Sequence, residues 1–119
     1  MKTNYSTILR ITLMLLFWGS FVVPTAHAQN AYEDAYAKAN NLILDGSWQA
    51  AHQSLSAFLK AHPTGKRTDD AGFYFCYASE KMNRTEKGVF ECFDKFIQAN
   101  PNSSYVDDAQ SSMVRLGNN

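Results

Sequence analysis

The stretch Ala99-Asn100-Pro101-Asn102-Ser103-Ser104-Tyr105-Val106-Asp107-Asp108-Ala109 decides the fold, because much of it has already occurred once. Phe96, Ala99, Pro101 and Asp107-Asp108-Ala109 stand thirty-eight residues after Phe58, Ala61, Pro63 and Asp69-Asp70-Ala71. A period between about twenty and fifty residues marks units that cannot bury their apolar faces alone and stack on their neighbours. In each copy the proline closes one helix and the acidic pair opens the next, where negative charge suits the helix dipole. The expected class is all-α, with antiparallel helix hairpins stacked into a short solenoid.

Working outward from that joint, Tyr32, Ala35, Ala39, Leu42 and Ile43 recur at helical spacing between Ala31 and Leu44, with no proline or glycine among them. Asp45-Gly46-Ser47 supplies a stop, a residue free to take positive φ and a new N-cap. A second helix follows through Trp48, Ala51, Leu55, Phe58 and Leu59, and so short a connection forces the pair antiparallel. After the basic loop Thr64 to Thr68, a third helix runs from Asp69-Asp70 to about Met82. Asn83-Arg84-Thr85 matches Asp45-Gly46-Ser47 in the repeat frame, which sets Arg84 in place of Gly46. A fourth helix carries Val89, Phe93, Phe96 and Ile97. The last, from about residue 104 to 116, has Ala109, Met113 and Leu116 on one face and Ser111, Ser112 and Arg115 away from it, as a terminal capping helix requires.

The N-terminal part reads differently. Lys2 and Arg10 precede an apolar run from Ile11 to Val23, then Pro24 and Ala26-His27-Ala28. These are the parts of a secretory signal peptide. A spanning helix needs roughly 20 apolar residues, and this run is shorter and contains Gly19 and Ser20. Cleavage is expected after Ala28, the alternative being an uncleaved anchor, and no cysteine near that point supports a lipid attachment there. The expected organisation is a signal peptide over 1–28 and one helical domain over 29–119, with repeats at about 31–68 and 69–106. The expected location is the periplasm or the exterior, with no membrane span after cleavage.

Once Lys2 and Arg10 are gone, nine bases face eleven acids with both signs interspersed, which leaves no electrostatic footprint for nucleic acid. A domain of this size buries roughly 60 to 65% of its unfolded surface, so an added constraint helps. Cys76 and Cys92 lie eight residues either side of Arg84, at equal height in an antiparallel hairpin, and both fall on apolar stripes. A disulfide is expected, worth about 3 kcal/mol in the chain-entropy model. Two buried free thiols are the alternative.

Ala39, Leu42, Gly46, Ala51, Leu55, Phe58 and Pro63 in the first unit, with Phe93, Phe96 and Pro101 in the second, resemble the tetratricopeptide repeat. The segment from Ala99 to Ala109 is similar to the inter-repeat segment of bacterial envelope members, of the Tol-Pal cell-division coordinator and outer-membrane assembly lipoprotein type. The second unit departs from the pattern, with Tyr77 for Ala39, Glu80 for Leu42 and Val89 for Ala51. The resemblance implies that the first helices of successive units line a concave face holding a peptide or partner helix. The implied groove residues are Tyr36, Asn40 and Ile43, then Tyr74, Phe75, Ala78 and Lys81. Tyr74 and Phe75 are assigned equally well to the core. Tyr36 is assigned to the groove because Ala35 and Ala39 fill the buried side of its helix.

Other chemistry finds little support. The acidic pairs sit at helix starts, where a dipole role explains them better than paired-carboxylate catalysis. His52 and His62 lack partners at metal-ligand spacing and read as solvent-facing. The cysteines have no Cys-x-x-Cys spacing, and no glycine-rich phosphate loop is present. No enzyme activity, cofactor or metal is expected. The expected function is a binding scaffold for a protein or peptide. A self-assembling or homodimeric envelope module is the alternative, and an envelope hydrolase ranks last.

Overall fold

A computed structural model describes residues 26–117, so the expected signal segment up to residue 25 lies outside the described residues. Among the described residues there are five helices and no strand: α1 (Ala26–Leu44), α2 (Trp48–Ala61), α3 (Thr68–Lys81), α4 (Glu86–Ala99) and α5 (Val106–Gly117). Each packs on the next in chain order, and α1 also meets α3. This is a short tetratricopeptide-like solenoid of two antiparallel hairpins and a final helix. α1 starts at Ala26 rather than Ala31, since nothing in Ala26-His27-Ala28-Gln29-Asn30 breaks a helix. No helix among the described residues is long and apolar enough to cross a membrane.

The hairpin turns close alike with different residues. Gly46 takes φ +70°, its N–H donating to the Ile43 carbonyl, while the Ser47 N–H donates to that of Leu42. Asn83 takes φ +52°, with its N–H on the Glu80 carbonyl and the Arg84 N–H on that of Ser79. Both are Schellman closures, which need one residue in the left-handed region. The residue equivalent to Gly46 is therefore Asn83, not Arg84. α3 ends one residue early in the repeat frame because asparagine tolerates that conformation and arginine does not. Ser47 and Thr85 occupy the N-cap positions, but neither side chain makes a cap hydrogen bond.

The core has two halves. Ala39, Ala51, Ala71 and Ala78, all fully buried, let α1, α2 and α3 approach closely around Leu55 and Phe58. The second half is built from Phe73, Val89, Phe93 and Phe96, with Ala109 of α5. There Cys76 and Cys92 are joined across α3 and α4, with Cα atoms 5.6 Å apart. Two positions depart from expectation. Ala35 is exposed because the buried stripe of α1 runs Tyr32, Tyr36, Ala39, Ile43, and Ser112 is buried because α5 turns that side toward α3.

Candidate functional site

Two joints set the helices. At the first, the Tyr32 hydroxyl accepts from the Arg67 N–H (2.7 Å), and the Tyr36 hydroxyl donates to Asp70 Oδ2 (3.2 Å). The Arg67 guanidinium lies 5.1 Å from the Tyr36 ring centre and pairs with Glu33 and Asp70, each at 3.4 Å. Burial, then the Asp70 charge, pushes the Tyr36 phenol well above its ordinary range, so it stays a donor. At the second joint, the Ser103 hydroxyl donates to Asp69 Oδ2 (2.8 Å). Tyr105 stacks on Phe73 at 4.7 Å and meets the Tyr74 ring edge-on at 5.6 Å. Asp69 and Asp70 thus open α3 where the dipole favours them, and each also holds a different neighbour.

Between α1, α3 and α5 these joints leave a cleft of about 560 Å³. Its apolar wall is Ile43 and Leu44 of α1, Trp48 at the start of α2, and Phe73, Tyr74 and Tyr77 of α3. The rings brace one another: Trp48 and Tyr74 are edge-on to Tyr77, at 5.8 and 6.4 Å. Leu44 is 76% exposed. The opposite wall is polar, with Asp108, Ser111, Ser112 and Arg115 of α5. Arg115 is already committed, both Nε (3.1 Å) and Nη2 (2.6 Å) reaching Glu80 Oε1. The ionic group left facing the opening is Asp108, which is exposed. An aromatic floor with one uncommitted carboxylate at its rim suits a peptide carrying apolar side chains and N–H donors.

The residues assigned to a groove from the sequence divide. Ile43 and Tyr74 line this cleft. Tyr36 does not present a free hydroxyl to a ligand, being bonded to Asp70 beneath Arg67. Asn40 is half-buried on α1. Phe75 faces the opposite side, between α2 and α4, stacked on His52 at 4.1 Å. Ala78 is fully buried in the first half of the core. Lys81 lies 5.1 Å over the Tyr77 ring and borders a separate cleft at the hairpin tip. Sequence reasoning missed Leu44, Trp48, Phe73, Tyr77 and the α5 wall. The close run Phe73, Tyr74, Tyr77 on one helical face was the available signal. His52 and His62 are not simply solvent-facing: His62 lies 4.8 Å from Tyr32 and 4.9 Å from Phe58. Among the described residues no group of His, Cys, Asp or Glu is placed to hold a metal ion.

The family model YfiO, described as outer membrane lipoprotein, matches residues 28–110. The chain belongs to this family. The match spans both hairpins and the start of α5, and so covers most of the cleft. YfiO membership supports an envelope protein with a protein-interaction role. Lipid attachment is said of the family; in this chain Cys76 and Cys92 are bonded to each other. No curated protein and no solved structure matches the chain.

Proposed function

We propose that this YfiO-family protein is a non-catalytic scaffold of the bacterial periplasm that holds an extended peptide or partner helix in the cleft between α1, α3 and α5. The observation that carries the reading is the aromatic wall Trp48, Phe73, Tyr74 and Tyr77, left open beside a 76% exposed Leu44. Tyrosine and tryptophan with accessible polar tips suit a partly wet interface. Export by the N-terminal segment and cleavage after Ala28 belong to the same proposal, and the intact mass of the exported protein tests them by locating its first residue at Gln29. Of the envelope types that the inter-repeat segment resembles, the proposal follows the outer-membrane assembly lipoprotein type.

The test is photo-crosslinking in cells from a probe placed at Leu44 or Tyr77 and, as control, at Ala35 outside the cleft. One shared partner is expected at the first two positions and not at the third. Equal labelling from Ala35, or capture unaffected by Tyr77→Ala with helicity retained, removes the cleft from consideration. Self-association is a second reading, favoured by Val114, which is 64% exposed on the last helix. Sedimentation at micromolar concentration decides it, since a monomer excludes that reading.

A further inference from the structure

The side of the solenoid away from the cleft carries a chemical asymmetry at the disulfide. Cys76 is 2% exposed and Cys92 partly exposed; both border a cleft of about 430 Å³, and Cys92 without Cys76 also borders one of about 250 Å³ between α2, α3 and α4. Each cysteine follows a glycine by four residues, Gly72 on α3 and Gly88 on α4. Helical side chains lean toward the preceding turn, so the residue four earlier decides what covers each sulfur. Over Gly72 the space is taken, because a Cβ there would lie 3.3 Å from the Phe96 ring. Over Gly88 no other helix intrudes: a Cβ there would meet Thr85 Oγ1 of its own turn at 3.0 Å and no group of another helix within 4 Å. Arg84 borders the smaller cleft.

We propose that Cys92 is a thiol–disulfide exchange site, through which a protein dithiol opens and closes the bridge to Cys76. An incoming thiolate, favoured by the Arg84 charge, attacks Cys92 Sγ. The Cys76–Cys92 bond breaks, a mixed disulfide forms on Cys92, and Cys76 leaves as a thiolate that takes up a proton. The second thiol of the incoming dithiol then attacks its own sulfur in the mixed disulfide and releases the Cys92 thiolate. The bridge gains two electrons and the dithiol becomes a disulfide; the reverse sequence forms the bridge. A monothiol is a poor substitute. Cys76 is held beside the mixed disulfide and re-forms the bridge intramolecularly before a second monothiol arrives.

The experiment uses the full mature chain and glutathione disulfide as probe. Cys92 in the Cys76→Ser protein is expected to react at least about tenfold faster than Cys76 in the Cys92→Ser protein, with the two rates converging in guanidinium. Equal rates in the folded state, or no reaction at either until denaturant is added, overturn the proposal. Should either variant fail to fold, the wild-type protein still decides. Its reduction by dithiothreitol is expected to be first order in the dithiol, insensitive to sub-denaturing urea and slowed by Gly88→Leu, which covers the sulfur. A rate that climbs with urea, or one that Gly88→Leu leaves unchanged, shows that the bridge is reached only by unfolding, and the proposal fails.

Discussion

The two joints answer the same mechanical need with opposite chemistry. In the repeat frame Tyr36 matches Tyr74, Arg67 matches Tyr105 and Asp70 matches Asp108. Where the first joint has arginine, the guanidinium covers the tyrosine ring and the carboxylate takes the tyrosine hydroxyl, so both groups are consumed in holding α1 to α3. Where the second has tyrosine, stacking on Phe73 closes the joint and leaves Asp108 exposed and Tyr74 lining the cleft. One substitution in the frame thus separates a strut from a surface able to bind. The hairpin interiors follow the same division. The first relies on alanines that let backbones approach, the second on phenylalanines and a covalent bridge.

The largest expected effect tests where the stability lies. Phe93 is fully buried at the centre of the second half, and Phe93→Ala is expected to cost about 3 to 5 kcal/mol in urea unfolding. Leu55 holds the equivalent place in the first half, and Leu55→Ala is expected to cost less, toward about 2 to 3 kcal/mol. A reversed order would show that the alanine-lined first half depends on its central side chain more than the aromatic second half does. Next comes the bridge. Replacing both cysteines by serine is expected to remove about 3 kcal/mol, the loop-closure entropy that the bridge withholds from the unfolded chain. A loss under about 1 kcal/mol would show that aromatic packing alone holds α3 to α4.

Some of this was legible in the sequence. The repeat located the helices, and the proline and acidic pair located the joints, because both depend on local chemistry. The direction of a side chain between helices does not. Tyr36 reads as a groove residue if Ala35 is taken as buried, and only the contact with Asp70, thirty-four residues away, shows that the stripe runs through Tyr32 and Tyr36. Phe75 and Tyr77 are two residues apart on α3 and end on opposite sides, one against His52 and the other against Trp48. The hairpin turn slipped for a related reason. Alignment by the repeat places Arg84 on Gly46, but backbone sterics choose the residue that tolerates positive φ, which is Asn83.

The contrast between joints is sharpened by changing the matched acids. Asp70→Asn weakens the bonds to Tyr36 and Arg67 and is expected to cost about 1 to 2 kcal/mol, carried by the half-buried Tyr36 hydroxyl rather than by the more exposed Arg67. Asp108→Asn removes only the interaction with the α5 dipole, about 0.3 to 1 kcal/mol, while weakening partner binding. If the two variants unfold at the same urea concentration, the first joint is no more a strut than the second.

The smallest expected effect is a pH response confined to the first hairpin, because His52 has Phe90 in its place in the second. His52 stacks on Phe75, and burial first, then the nearby Arg84 charge, lowers its pKa below the ordinary value of 6.5. The unfolded chain therefore binds a proton at His52 at a higher pH than the folded chain does. Stability from the neutral ring is fully present above about 6.5 and declines as pH falls from there toward the lowered folded value, below which no further loss arises from this group. His52 is only half-buried, so the decline is modest. His52→Gln keeps a polar side chain of similar reach and removes the titration. The difference in unfolding midpoint between wild type and His52→Gln is expected to move against the wild type as pH goes from 7 to 5, before carboxylate titration dominates both. A difference that stays constant over that interval shows that the His52 ring is as free to protonate as in the unfolded chain, and removes the stacked imidazole from the account of how α2 holds α3.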